Sequence, residues 1–373
     1  MRKAIVILLT LLVVLGLAGC QEAPVEEQKP TPVVEQKQDT PLPTPEPEAP
    51  LVGICLPGDQ WMQVGQLIER DLRVLGYNTK LVYADHDASL QSRQIKELVE
   101  ENPACLVVMP EDSVALLDAL KAAKKANIPV VALDRMLMET DAVSGVVTFD
   151  YETFGYQMGT YLVENKQLDT ALEENRSYTI EFFMGSTEDH SAFLLHKGLM
   201  QRLQPYLDAG VLVCKSGRTS FADTYVLHAD QALAKRKCLE LLQSAPQPDI
   251  ICAASDVLAA GCAEAIREMG YEGDPMILLT GQGGDIEAVQ RIVDGKQTMT
   301  IYKDWEDLAS QCVAVVDALA KEEMPQWNDT ESFDNHTIIV PAMVLPGVVV
   351  DKGNYKEKLV DTKIYSTDAL PTK

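Results

Sequence analysis

The chain has 373 residues and is strongly acidic, with 56 Asp and Glu residues against 32 Lys and Arg residues and a formal net charge of −24. This excess of negative charge excludes a protein that binds nucleic acid or anionic membranes by general electrostatic attraction. The length is sufficient for two lobes with separate hydrophobic cores.

The N-terminus carries an export signal. Arg2 and Lys3 precede an apolar run from Ala4 to Ala18, which is too short to span a bilayer comfortably. The stretch Leu-Ala-Gly before Cys20 resembles a bacterial lipobox. The resemblance implies that residues 1–19 are a lipoprotein signal peptide and that lipid on Cys20 anchors the protein to the membrane. An ordinary signal peptide with a chance cysteine is the alternative.

Residues 20–50 are predicted to be a tether. The part from Gln21 to Pro50 contains eight prolines and seven acidic residues, and it has no glycine and no aromatic residue. Such a segment cannot bury a core, and its prolines favour an extended chain of about 3 Å per residue. We therefore expect a spacer between membrane and folded region, with a protein-binding tract as the alternative.

From Leu51 onward, short apolar runs alternate with amphipathic stretches. The first series of predicted strands is Val52–Leu56, Thr79–Ala84, Ala104–Met109, Ile128–Leu133 and Gly145–Phe149. The second is Thr179–Met184, Val211–Lys215, Ile250–Ala254, Ile277–Thr280 and Thr298–Tyr302. Apolar strands that alternate with helices predict an α/β fold of doubly wound parallel sheets, and two series predict two similar lobes.

Polar side chains follow many of these strands at their carboxyl ends. They include Gln60 and Trp61, Asp134 and Arg135, Asp189 and Ser191, Ser255, and Gln282. Ligands of open α/β sheets bind at this edge, so two facing lobes are expected to enclose a ligand.

Neither a metal site nor a catalytic site is predicted. Cys20 aside, the cysteines are Cys55, Cys105, Cys214, Cys238, Cys252, Cys262 and Cys312. Their odd number and the lack of a C-x-x-C pair argue against zinc or a disulfide framework, and we expect mostly small buried side chains. No G-x-S-x-G, H-E-x-x-H or P-loop motif occurs, so we expect no enzyme and no cofactor.

Several motifs resemble those of periplasmic sugar-binding proteins of ABC transporters, type I fold, and most closely the subgroup that binds xylose and related aldoses. The similarity extends from about Val52 to Tyr355. It rests on Tyr83-Ala84-Asp85, Leu133-Asp134-Arg135, Val147-Thr148-Phe149-Asp150, Gly185-Ser186, LQPYLDAG at 203–210, and TMTIYK at 298–303.

The resemblance implies two lobes joined by a hinge of three crossings. The first lobe is expected at residues 51–150 plus 304–337 and the second at 151–303 plus 338–360, with a final strand near Ile338–Val350 and a tail at 361–373. The implied function is a monomeric receptor that captures a small polyhydroxylated ligand, in the first place a monosaccharide, for an ABC permease. The alternatives are a co-receptor for a histidine kinase or chemoreceptor, and a receptor for a nucleoside or autoinducer.

The resemblance also implies ligand-binding residues. They are Gln60, Trp61, Asp134, Arg135, Asp189, Ser191, Tyr225, Ser255, Gln282 and Lys303. Trp61 and Tyr225 are expected to stack on a sugar ring, and the charged residues are expected to bond its hydroxyls.

Structural roles remain open for several of these residues. Trp61 is alternatively a core aromatic, Asp134 with Arg135 a structural ion pair, and Asp189 a helix cap. Lys303 is alternatively a solvated lysine. Asp256 is predicted to cap the helix that follows it.

The chain departs from the subgroup at five positions of the expected cleft. Gln60 stands where the family has Arg, and Gly283 where it has Asp. Ser191, Ser255 and Tyr151 stand where it has Asn. These departures imply either a wider cleft for a bulkier or less hydroxylated ligand, or replacement of the lost groups by Asp285, His190 and water.

Overall fold

The computed structural model describes residues 49–244, 246–273, 276–366 and 368–370. The predicted signal peptide, Cys20 and most of the tether lie outside these residues. Within them, no helix is both long enough and apolar enough to cross a membrane.

Strands and helices alternate along most of the chain, as predicted. The strands are β1 Leu51–Leu56, β2 Asn78–Tyr83, β3 Cys105–Val108, β4 Val130–Leu133, β5 Gly145–Phe149, β6 Tyr178–Phe183, β7 Leu212–Val213, β8 Ile250–Ala253, β9 Leu278–Leu279, β10 Met299–Tyr302, β11 Ala342–Leu345 and β12 Val348–Asp351. The α-helices are α1 Met62–Val74, α2 Ala88–Glu100, α3 Leu117–Lys125, α4 Tyr151–Lys166, α5 Leu168–Glu173, α6 His190–Asp208, α7 Phe221–Thr224, α8 Gln231–Ser244, α9 Asp256–Glu268, α10 Ile286–Val293 and α11 Trp305–Ala320.

The first sheet has six parallel strands in the order β11-β5-β4-β3-β1-β2. Its central strands are buried on both faces, which explains their continuous apolar sequences. In β1, Ile54 belongs to the core cluster that contains Ile68 of α1, whereas the next residue, Cys55, belongs to the cluster of α2 and α3. Helices therefore cover both faces of this sheet.

The second sheet has four parallel strands in the order β7-β6-β8-β9. Beside it, α4 and α6 approach so closely that two glycines are required at their contact. A Cβ atom on Gly155 would lie 1.9 Å from the carbonyl oxygen of Leu195, and one on Gly198 would lie 1.8 Å from that of Glu152. The predicted fold class, two doubly wound parallel sheets, is confirmed.

The chain crosses from the first sheet to the second after β5. It returns to the first sheet after β10, which forms a two-stranded ribbon with β12, and it leaves the first sheet for that ribbon after β11. The segment predicted as one final strand near Ile338–Val350 forms two strands, β11 and β12. Its predicted assignment to the second lobe is wrong for β11. β11 pairs in parallel with β5 of the first sheet, whereas β12 pairs antiparallel with β10. Pro346 and Gly347 separate them, since proline cannot donate to a strand ladder.

The C-terminal segment packs against the second half of the molecule. Val350, Tyr355, Leu359 and Leu370 form a small apolar core with Val289 and Val293 of α10, and Tyr365 packs against it. The described part of the predicted tail is thus attached to α10 and to the β10–β12 ribbon.

The cysteines of the folded region are unpaired. Six of the seven are buried and Cys214 is half-buried, in agreement with the prediction of small apolar side chains.

The helix contact between α4 and α6 gives a test of the fold. Gly198→Ala places a methyl group against backbone atoms of α4, which cannot yield as a side chain can, so we expect a loss of about 1–3 kcal/mol in the free energy of unfolding. Gly65→Ala in α1 is the matched control, because its Cβ would meet only side-chain atoms of Leu56, Leu81 and Tyr83. Urea unfolding measures both variants, and equal losses would contradict this account of the contact.

Candidate ligand-binding site

A cavity of about 890 Å³ lies where the carboxyl ends of the two sheets face each other. Its walls come from the segments after β1 to β5 of the first sheet, from those after β6 to β9 of the second, and from the crossing after β10. Of the residues predicted to bind a ligand, those that line it are Gln60, Trp61, Asp134, Arg135, Asp189, Ser191, Ser255, Gln282 and Lys303.

Tyr225 is the predicted residue that does not line this cavity. Its backbone forms a parallel bridge to Met184, next to β6. The Lys237 ammonium lies 5.2 Å from the centre of the Tyr225 ring and donates a 2.8 Å hydrogen bond to the Tyr225 carbonyl. The structure therefore places Tyr225, the predicted second stacking face, apart from the other predicted residues.

Lys303 is buried at the floor of the cavity, and the solvated alternative does not apply. Its Nζ donates a 2.9 Å hydrogen bond to Tyr151 Oη, and Tyr151 Oη donates a 2.6 Å hydrogen bond to Asp134 Oδ1. Lys303 Nζ also lies 3.9 Å from Asp134 Oδ1 and 4.3 Å from the centre of the Trp305 ring. Residues of two chain crossings and of the first sheet thus meet at one ammonium group.

Burial governs the ionisation of this group of residues. It lowers the pKa of Lys303, although the charges of Asp134 and Asp189 act in the opposite direction. It raises the pKa of Tyr151 well above the usual value, and the charge of Asp134 adds to the rise. The Tyr151 hydroxyl therefore remains protonated and serves as the donor to Asp134.

An ion pair spans the cavity between the two sheets. Arg135 follows β4 of the first sheet, and its Nε lies 3.3 Å from Asp189 Oδ2 at the start of α6. Burial would lower the pKa of Arg135, but the nearby carboxylates, Asp189 first among them, outweigh it and raise that pKa. Beside this pair, Ser113 Oγ donates a 2.8 Å hydrogen bond to the Glu188 carbonyl.

Asp189 has two roles in this arrangement. Its Oδ1 accepts a 2.9 Å hydrogen bond from the Ser191 amide, which makes it the N-cap of α6, while Oδ2 faces Arg135. Asp134 pairs with Tyr151 and Lys303, so the adjacent Asp134 and Arg135 serve different partners.

Trp61 forms part of the first-sheet wall and is half-buried. The Trp61 ring packs edge-to-face with the Trp305 ring at a centroid distance of 5.1 Å. The Arg135 guanidinium carbon lies 5.7 Å from the centre of the Trp61 ring. Near it, the side-chain oxygen of Gln60 lies 3.0 Å from His86 Nε2, and His86 Nδ1 lies 3.1 Å from Glu111 Oε2. These contacts orient the Gln60 and Trp61 side chains at the cavity wall.

Capping of α9 differs from the prediction. Ser255 is the N-cap, because its hydroxyl accepts a hydrogen bond from the Leu258 amide, and the predicted cap Asp256 lies one residue later. The Asp256 carboxylate is buried and accepts hydrogen bonds from Gln297 Nε2, Thr300 Oγ1 and the Gly284 amide, at 2.7, 2.8 and 2.6 Å. It therefore holds the loop after β9 against β10.

Gly283 packs closely against that carboxylate, in a backbone conformation that favours glycine. Its φ is +136°, and a Cβ atom there would lie 3.2 Å from Asp256 Oδ2. Asp285, one of the proposed replacements for a lost acid, lines the cavity. His190, the other, is absent from the cavity wall, and its ring lies 6.4 Å from that of His336.

The sequence interpretation missed several residues of the cavity wall. Among them are Glu188, His228, Trp305 and Tyr365, while Tyr151 is identified at the cleft only as a departure from the subgroup. Trp305 lies just beyond the end of β10, so the signal that identified Asp134, a position at the carboxyl end of a strand, also applies to Trp305. Tyr365 has no local signal, since the hydrogen bond from its hydroxyl to the Gly284 carbonyl spans 81 positions of the chain.

Carboxylates dominate the charged lining of the cavity. The acids are Glu111, Asp134, Glu188, Asp189, Asp230, Asp256, Asp285 and Glu287, and the lysine and arginine residues are Lys303 and Arg135. This imbalance disfavours an anionic ligand. Across the part of the chain that the structure describes, no group of three or more His, Cys, Asp and Glu side chains is placed to hold a metal ion.

Comparison with known proteins identifies the family to which this architecture belongs. The model of the periplasmic binding protein domain matches residues 54–324. The multiple sugar-binding periplasmic receptor ChvE of Rhizobium radiobacter is 33% identical over 327 residues, which cover 86% of this chain and 92% of that protein. The D-xylose-binding periplasmic protein of Escherichia coli is 27% identical over 315 residues, covering 84% and 89%.

Solved structures give the same result. A solute-binding protein of an ABC transporter from Clostridium phytofermentans, with bound β-D-glucose, is 35% identical and superposes with a TM-score of 0.82 over 86% of this chain and 100% of that chain. A carbohydrate transporter solute-binding protein from Chloroflexus aurantiacus, in complex with D-glucose, is 25% identical with a TM-score of 0.75, covering 86% and 98%.

The buried Asp256 predicts a pH dependence of stability. Burial, and then the charge of Asp285, raise its pKa to about 6. The folded protein thus holds this proton more tightly than the unfolded chain, and the resulting stability is present below about pH 4 and lost as the pH rises through about 6. Relative to Asp256→Asn, the wild type should therefore lose about 3 kcal/mol between about pH 4 and pH 7.

Urea unfolding across this pH range measures the difference. Asp141→Asn is the control, because exposed Asp141 pairs with Lys124, whose hydrogen bond lowers the Asp141 pKa. Relative to Asp141→Asn, the wild type should gain a small amount of stability over the same pH range. A constant difference between wild type and Asp256→Asn would contradict a raised pKa at Asp256.

Proposed function

Since the chain belongs to the family of periplasmic binding proteins, we propose that it is an extracytoplasmic receptor that captures a neutral monosaccharide. The observation that carries this proposal is the cavity between the carboxyl ends of the two sheets, with an indole and charged hydrogen-bonding groups in its walls. A sugar presents C–H faces and hydroxyls, and these are the groups that such a wall recognises.

The wall residues divide into complementary roles. Trp61 supplies an apolar plane for the C–H face of the ring. Asp134 accepts hydrogen bonds from hydroxyls, while Arg135 donates to them in a forked geometry. Asp189, Ser191, Ser255 and Gln282 approach from the second sheet, and Lys303 donates from the floor.

Ligand capture is proposed to operate by closure of two lobes around the hinge. The first lobe comprises residues 51–150 with α11 and β11, and the second comprises 151–303 with β12. The Arg135–Asp189 pair and the Ser113–Glu188 hydrogen bond span the two sides, and both are contacts that separation of the lobes would break. A bound sugar that bonds both Arg135 and Asp189 favours the closed arrangement.

The loaded receptor is proposed to deliver its ligand to an ABC permease as a monomer. Lipid on Cys20 holds it at the extracytoplasmic face of the membrane, and the proline-rich tether lets the folded region reach the permease. Relatives with the same fold are binding proteins, which supports capture and release of an unchanged ligand.

Substitution of Asp134 tests the sugar site. The purified protein should bind at least one pentose or hexose in isothermal titration calorimetry. Asp134→Asn keeps an acceptor for Tyr151 but removes the charge, and hydrogen bonds to charged groups contribute about 1.5–3 kcal/mol. We expect the affinity to fall by about 10- to 150-fold.

Asp141→Asn, the same substitution on the exposed surface, is the matched control and should bind as the wild type does. Circular dichroism of both variants establishes that they are folded. The proposal fails if no sugar binds to the wild type, or if Asp134→Asn binds with unchanged affinity.

The lipid anchor has its own test. In a bacterial host, the wild type should incorporate a labelled fatty acid and sediment with the membrane, because acylation of Cys20 attaches it there. Cys20→Ser should lose both properties, whereas Cys214→Ser, at the half-buried cysteine of the folded region, should retain them. Labelling that persists in Cys20→Ser would contradict the anchor.

A further inference from the structure

A groove opens from the cavity along the flank of the second sheet. It has a volume of about 460 Å³ and lies between α9 and α10. Five residues line both spaces, namely Gln231, Asp256, Val257, Asp285 and Glu287. The cavity and this side groove therefore meet where α9 and α10 begin.

One face of α9 lines the side groove, and the apolar side chains of Val257, Ala260 and Ala263 form its floor. Val257, Ala260, Glu264 and Arg267 follow one another at spacings of three and four residues, which places them on one side of the helix. From Val257 to Arg267 the helix rises about 15 Å, longer than one sugar ring. The small side chains of Ala260 and Ala263 leave space above the helix, and Val257 is 46% exposed at the entrance.

The rim of the side groove carries hydrogen-bonding groups of both signs. Its acids include Glu264, Glu272 and Glu287, and its bases are Arg267, Arg291 and Lys296. Arg291 is held in place, because its Nε donates to Gln297 Oε1 and its Nη2 to the Asp256 carbonyl, each at 3.0 Å. Carboxylates and guanidinium groups above an apolar floor suit a neutral polyhydroxylated ring.

The space exceeds what a single sugar ring requires. The cavity alone, at about 890 Å³, is near the upper end of the range of about 300–1,000 Å³ for pockets that hold drug-sized ligands.

We propose that the protein binds neutral disaccharides or other glycosides, with one ring in the cavity and the attached ring or aglycone in the side groove. The inference rests on the proposed function, since the first ring occupies the same site as a monosaccharide. It implies that residues of α9 and α10 select the attached ring or aglycone.

Ala260→Trp tests the inference, because Ala260 lines the side groove and not the cavity. Calorimetry would compare monosaccharides with their disaccharides in several linkages and with aryl glycosides. We expect at least one glycoside to bind the wild type about tenfold more tightly than its parent monosaccharide, a gain of about 1.4 kcal/mol. Ala260→Trp should lose that gain and keep the monosaccharide affinity.

Two control variants accompany the measurement. Ala126→Trp adds the same side chain at the exposed end of α3, beside the first sheet, and should leave every affinity unchanged. Ala260→Leu fills the side groove less and should lose part of the gain in glycoside affinity. It provides the same test if Ala260→Trp does not fold.

The outcomes separate the two proposals. A wild type that binds monosaccharides but gains nothing from a second unit overturns the side-groove inference alone. An unchanged glycoside affinity in the Ala260 variants also overturns the side-groove inference alone. A wild type that binds no sugar of any size overturns the proposed function together with the inference.

Discussion

The buried ammonium group of Lys303 connects the hinge to the cavity. It lies on the crossing from β10 to α11, and it bonds Tyr151 on the crossing from β5 to α4. Removing a cation from water costs several kcal/mol, so Lys303 is tolerated only while Tyr151, Asp134 and the Trp305 ring remain in place around it. The same Asp134 faces the cavity. The position of the hinge and the shape of the site are therefore set by one group of contacts.

Most strands could be predicted because burial on both faces demands continuous apolar residues, and β5 has the predicted bounds. The last strand could not. Residues 338–350 read as one apolar run, yet β11 and β12 join different sheets on either side of Pro346 and Gly347. Which sheet an apolar strand joins depends on the partners that tertiary structure offers, and neighbouring sequence carries little of that information.

The site was predictable where a polar residue directly follows a strand, because parallel strands deliver their carboxyl ends to one edge. Side-chain direction was not predictable in the same way. Ser255 and Asp256 are both good capping residues, and only the packing of β10 shows that Asp256 points inward to Thr300. Likewise, only the tertiary structure shows that α8 places a lysine over the Tyr225 ring.

The separation of β11 from β12 has a consequence for biogenesis. β11 is an edge strand of the first sheet and β12 completes the ribbon with β10, so neither unit is finished until residues 342–351 have been synthesised. Non-local pairings of this kind form slowly, because the chain between them must first be ordered. If residues 1–19 act as the export signal that the sequence predicts, the native state is thus postponed until residues 342–351 exist, which leaves time for translocation in an unfolded form.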